Sequence, residues 1–113
     1  MQQLIHVEQI VQDIKDIKIQ GATNIAKAAF EIIILESKSQ NFISFEEYSE
    51  FVTTAVQLLI DARPTEPMLF NGMDYIKAQI AKVQTSDLET LKKIVIEASE
   101  YYLNLINETA ERA

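Results

Sequence analysis

The chain has 113 residues, of which 48% are hydrophobic and 24% charged, with a formal net charge of −7 and a pI near 4.6. That is enough for one domain with a real core, too apolar for a disordered chain, and too acidic for a protein that holds nucleic acid by neutralising phosphates. The absence of cysteine and the single histidine, His6, exclude a disulfide, a thiolate zinc site, a cysteine nucleophile and a two-histidine metal centre.

Two glycines and two prolines are too few for strands and turns at regular intervals, so the composition favours long helices. No apolar run approaches the ~20 residues that cross a bilayer, and the N-terminus has no signal-peptide pattern. The expectation is a cytoplasmic, all-α domain over residues 1–113: a compact bundle of about five helices, with no membrane or nucleic-acid partner.

The first helix is predicted from about Leu4 to Ile19. Val7, Ile10, Ile14 and Ile17 form one apolar stripe, with Asp13, Lys15, Asp16 and Lys18 on other faces. Gly21 is expected to end it, and Thr23 to cap the next helix. That second helix runs to about Ser37 and is apolar on most sides. Its Ile32-Ile33-Ile34-Leu35 run also fits a buried strand, but the alanines before it and the lack of a strand partner favour a central helix.

A polar link follows, from Ser37 to Ile43. Ser44-Phe45-Glu46-Glu47 then matches a capping box that opens a third helix to Asp61. Phe45, Tyr48, Val52, Ala55, Val56, Leu59 and Ile60 are its apolar face, and Pro64 ends it. The fourth helix starts near Thr65 with Pro67 in its first turn, where a missing amide costs nothing. Gly72 inside that helix points to close helix packing, with close approach to a ligand as the alternative.

Ser86-Asp87-Leu88-Glu89 reads as a second capping box, opening the longest helix. Leu88, Leu91, Val95, Ala98, Tyr102 and Leu105 form a packing seam. Ile94, Ile96, Tyr101, Leu103 and Ile106 add apolar surface beyond it, which predicts that a second domain or subunit covers this helix. The pattern carries no stop signal at Glu111-Arg112-Ala113, as though the helix continued.

The acidic residues have ordinary uses. Glu46, Glu47 and Glu50 sit at a helix start, where negative charge suits the dipole. Asp13, Asp16, Glu97 and Glu100 read as solvated faces, and His6 as a surface or packing residue. No nucleophile–base pair and no nucleotide-binding loop stands out, so no catalytic residue, metal or cofactor is assigned.

What remains are the two polar breaks, Gln20-Gly21-Ala22-Thr23-Asn24 and Ala62-Arg63-Pro64-Thr65-Glu66-Pro67. Lys18, Gln20 and the amides of Gly21, Ala22, Thr23 and Asn24 surround a helix N-terminus, and Arg63 offers a guanidinium fork. Together they could bind the phosphate of a phosphorylated sugar or nucleotide. The simpler alternative has Gly21 and Pro64 ending helices and Arg63 capping carbonyls.

Three stretches carry a family resemblance: Ile14-Lys15-Asp16-Ile17-Lys18-Ile19-Gln20-Gly21-Ala22, Ile25-Ala26-Lys27-Ala28-Ala29, and Ala62-Arg63-Pro64-Thr65-Glu66-Pro67 with Asn71-Gly72. The chain resembles the N-terminal helical domain of the translation initiation factor 2B regulatory-subunit family. Relatives there include ribose-1,5-bisphosphate isomerase and methylthioribose-1-phosphate isomerase, and the resemblance is to archaeal members. It implies a two-part protein whose larger Rossmann-like domain holds the isomerases' catalytic cysteine and aspartate.

It also places the Gly21-Ala22 turn and Arg63 where the isomerases hold substrate phosphate. The isomerases have arginine where this chain has Gln20, glycine at Thr23, and often arginine at Asn24. Each charge-assisted hydrogen bond missing for that reason should weaken phosphate binding by roughly 1–3 kcal/mol. The resemblance therefore favours a non-catalytic module for protein–protein interaction in translation initiation, with the α subunit of initiation factor 2 as partner. The alternative is the phosphate-capping domain of a sugar-phosphate isomerase.

Overall fold

Apolar residues three and four apart build five helices in the computed structural model, which describes the backbone of residues 2–112 and the side chains of 3–108. A short 3-10 turn (Gln2–Leu4) leads into α1 (Ile5–Lys15). There follow α2 (Ala22–Ser39), α3 (Phe45–Ala62), α4 (Pro67–Val83) and α5 (Leu88–Arg112). Among the described residues there is no strand.

α2 lies at the centre and packs against all four other helices. That position explains its composition: Ile25, Ala26, Ala29, Phe30, Ile32 and Ile33 are buried, and only Leu35 of the isoleucine-rich run is well exposed. Neighbours on several sides also remove the strand alternative, because a strand there would have no sheet to join.

Short links make consecutive helices antiparallel. The Ser37 and Tyr48 hydroxyls meet at 2.7 Å across the α2–α3 link, and Tyr75 of α4 meets Tyr101 of α5 with ring centroids 5.2 Å apart. The α1–α2 and α3–α4 connections therefore share one end of the bundle. The α2–α3 and α4–α5 connections share the other.

Gly72 is a packing residue. A Cβ there would stand 2.0 Å from Phe30 Cζ and 3.0 Å from Tyr102 Cδ1, so only glycine lets α4 lie this close to α2 and α5. The alternative of a ligand at this backbone is thereby set aside.

The helix starts keep the expected chemistry with shifted partners. Ser44 Oγ accepts the Glu47 N–H at 3.1 Å, but the Glu47 carboxylate reaches the Ile43 N–H at 3.3 Å rather than that of Ser44. At α5 the predicted box at Ser86 is corrected by one residue. Asp87 is the capping group, its carboxylate accepting both the N–H and the hydroxyl of Thr90 at 2.9 and 2.8 Å. These two bonds hold the Asp87 carboxyl below its usual range.

The seam on α5 also departs from expectation. Leu91, Val95, Ala98 and Ile106 are buried, with Leu88 and Tyr102 packed beside them, whereas Leu105 stays 43% exposed. A straight helix turns every 3.6 residues, so over five turns the buried line drifts from a strict 3.5-residue repeat and selects Ile106 over Leu105.

Candidate functional site

The α1–α2 connection is built differently from the sequence expectation. α1 stops at Lys15, not near Ile19. The Ile17 N–H donates to the Ile14 carbonyl at 3.2 Å and the Lys18 N–H to the Asp13 carbonyl at 2.9 Å. This pair of bonds closes a helix around a left-handed residue, the place where glycine is favoured. Here that residue is Ile17, with φ of 62°.

For a β-branched side chain such a conformation costs about 1–2 kcal/mol. Ile17 is thereby removed from the apolar stripe and left 57% exposed. Val7, Val11 and Ile14 are the residues of α1 that enter the core.

Gly21 does not end α1; it precedes α2. Its φ of 85° and ψ of 141° belong to a region open essentially to glycine. Its carbonyl accepts the Ile25 N–H at 3.0 Å. Thr23 is correspondingly not a cap but a residue of the first turn, and no side chain caps α2. The first-turn amides of Ala22, Thr23 and Asn24 point out of this helix end, where partial positive charge accumulates.

Two side chains brace the connection from within. Gln20 Nε2 donates to the Ile17 carbonyl at 3.0 Å, and Asn24 Nδ2 donates to the Gln20 carbonyl at 3.1 Å. In the other loop, Arg63 ends α3. Its N–H donates to the Ile60 carbonyl at 3.2 Å and its carbonyl accepts the Glu66 N–H at 3.1 Å. Pro67 opens α4, again without a side-chain cap.

The antiparallel order places Gln20, Gly21, Ala22 and Thr23 at the same end of the bundle as Arg63. Gln20, Gly21, Ala22 and Arg63 carry the open surface there, and Thr23 is half-buried. Exposed first-turn amides and an exposed arginine thus lie at one end of the bundle. Among the described residues no group of three or more His, Asp or Glu side chains could hold a metal ion. No helix there is long and apolar enough to cross a membrane.

The opposite end holds a polar cluster that sequence reasoning missed. Glu36 is 2% exposed. One of its carboxylate oxygens meets His6 Nδ1 at 2.7 Å, and the other accepts from Gln40 Nε2. Gln40 also donates to the Gln3 carbonyl at 2.9 Å, so the cluster ties the start of the chain to the end of α2. A signal was available: Glu36 follows Ile25, Ala29 and Ile32 at spacings of four, three and four, on the buried stripe. Beside it, burial pushes the Tyr48 phenol up to about 12 despite its bond to Ser37.

Known proteins share sequence with nearly the whole of this chain. Ribose 1,5-bisphosphate isomerase of Thermococcus kodakarensis is 28% identical over 108 residues, covering 94% of this chain and 34% of the relative. The Pyrococcus furiosus protein of the same name is 28% identical over 108 residues, covering 94% and 33%. That of Archaeoglobus fulgidus is 26% identical over 106 residues, covering 94% and 31%. The chain thus spans about a third of the length of these relatives. The model of the Initiation factor 2 subunit family matches residues 18–113, from just before the first loop onward. The chain belongs to the Initiation factor 2 subunit family.

Proposed function

We propose that this domain grips the phosphate of a phosphorylated sugar at its two-loop end and makes or breaks no bond itself. The observation that carries this is the start of α2: glycine at the entry, no side-chain cap, and three outward first-turn amides, at the same end as Arg63. The names of the relatives supply the ligand class. Their remaining length, which this chain does not match, is where the isomerisation would reside. Gln20 and Asn24 act indirectly, holding the loop in shape rather than contributing charge.

The test is an NMR titration of the 113-residue protein with ribose 1,5-bisphosphate and, separately, with inorganic phosphate. Shifts should concentrate at the amides of residues 21–24. Arg63→Ala should weaken binding by about fivefold or more, the size of one charge-assisted contact. Gln20→Arg should strengthen it. Unmoved amides at 21–24, or an Arg63→Ala protein that binds as before, would sink the proposal.

The internal bonding of Gln20 and Asn24 favours one second reading. With those side chains occupied by their own loop, the end offers fewer free hydrogen-bond donors to a phosphate and suits a protein surface, with the α subunit of initiation factor 2 as partner. Binding of that purified subunit, undisturbed by excess ribose 1,5-bisphosphate, would favour this reading over the first.

A further inference from the structure

α5 shows a single stripe to solvent over three turns. Glu97, Glu100, Tyr101, Asn104, Leu105 and Glu108 follow one another by three, one, three, one and three residues along it. At its centre Tyr101 keeps 49% of its surface open. Grooves run along both sides. Between α2 and α5, Ile34, Leu35 and Leu103 line one of about 290 Å³. Between α4 and α5, Val83, Ile94 and Ala98 line another of about 390 Å³, with Tyr75 and Tyr101 at its wall. A cavity of ~150 Å³ holds a benzene molecule, so each groove has room for a large apolar side chain.

The charged groups that line these apolar surfaces are carboxylates. Glu31 and Glu100 edge the first groove, Glu97 the second, and Glu108 lies further along the stripe; no lysine or arginine lines any of them. Two cations stand beside them: Lys38 pairs with Glu100 at 3.6 Å, and Lys93 is exposed one turn before Glu97, so the carboxylates remain in excess. The groove between α3 and α4 differs, since Lys77 lines it. A second copy of this chain meeting the stripe face to face would bring like charges together, and anionic membranes and nucleic acids would be repelled. The complementary surface is a helix with apolar side chains three and four apart, flanked by lysine or arginine.

We propose that the exposed face of α5 is a docking site for a basic amphipathic helix of a protein partner, with Tyr101 as its central anchor. Large aromatic side chains at the middle of an apolar patch are where binding energy concentrates. The surrounding glutamates would select the partner's charge and speed its approach.

The probe is a synthetic helical peptide of roughly five turns with a leucine stripe flanked by lysines, compared with its twin carrying glutamates instead. The lysine peptide should shift amides over 97–108 and 31–35 of the 113-residue protein, and the glutamate peptide should not. Tyr101→Ala should weaken binding about tenfold. The surface pair Glu97→Lys with Glu100→Lys, which leaves the core untouched, should reverse the preference between the two peptides.

Shifts spread over the whole acidic surface would overturn the proposal, as would insensitivity to Tyr101→Ala. So would sedimentation showing a dimer that buries Tyr101, or a longer natural protein in which its own chain covers that residue. None of these outcomes touches the phosphate experiment, which reads the other loops.

Discussion

The two ends of this bundle solve the same problem, turning one helix into the next, in opposite ways. At the α2–α3 end the bonds reach far along the chain: His6 to Glu36 and Gln40 to the Gln3 carbonyl, with the buried Ser37–Tyr48 pair beside them. Phe42, Tyr48 and Phe51 pack into a buried aromatic cluster beneath, Phe42 meeting Tyr48 edge-on. At the α1–α2 end every bond is local, spanning three to six residues, and the backbone visits the left-handed region at Ile17 and an unusual positive φ at Gly21. One end is clasped; the other is strained and open. Backbone strain persists only where the surrounding packing holds it in place, and the clasped end contributes to that packing.

Variants can break or sharpen the contrast. The largest effect belongs to the clasp: Phe51→Ala, at a fully buried position, should cost about 3–5 kcal/mol in denaturant unfolding. A cost below ~1 kcal/mol would mean the aromatic cluster is not what secures that end.

Tyr48→Phe should cost about 1–2 kcal/mol at neutral pH, since Ser37 loses its buried partner. It should also change the alkaline limb. The folded phenol titrates at about 12 and the unfolded one near 10, so the stability from keeping it neutral is complete below pH 10 and is lost between 10 and 12. The wild-type protein should lose about 1.4 kcal/mol per pH unit through that window beyond any loss shared with the Tyr48→Phe protein. Parallel alkaline curves for the two proteins would contradict this.

At the open end the sign should reverse. Ile17→Gly removes the left-handed strain at an exposed position and should stabilise by about 0.5–1 kcal/mol, after allowing for the flexibility glycine adds to the unfolded chain. A destabilised variant would show that Ile17 makes a contact worth more than its strain. Amides of 17–24 should also exchange with solvent by local opening, well ahead of those around Tyr48.

The smallest effect should come from Asp87→Asn at the start of α5. The folded carboxyl is held low by Thr90, so its contribution is present above the unfolded value of about 3.9 and lost as pH falls through the folded one. Wild type and variant should therefore converge in thermal stability at acid pH and separate slightly at neutral pH.

Much of this is legible in the residues. Helix number, the central position of α2, the packing role of Gly72 and the apolar face of α3, except for the fully buried Phe51, follow from periodicity and from the scarcity of glycine and proline. These are averages over many residues, and one misplaced side chain does not change them. The candidate site is legible as two loops but not as a shape. Thr23 reads as a cap and is not one, Gly21 reads as the end of α1 and instead opens α2, and Ile17 reads as core and is exposed. In each case a single residue's φ and ψ decide the outcome, and pattern says little about one residue.

The family match from residue 18 onward and the all-helical architecture are already present in the order of amino acids. What only packing decided is which polar groups are buried, which apolar ones are left out, and which loops share an end. Glu36 is accepted inside because residues 30 and 4 positions away in the chain arrive to bond it. Leu105 is left outside because helical drift turns Ile106 inward. Gln20 to Thr23 and Arg63 share an end because consecutive helices pack antiparallel. Local propensity acts within a few residues, whereas burial and satisfaction are set by neighbours that only the folded chain assembles.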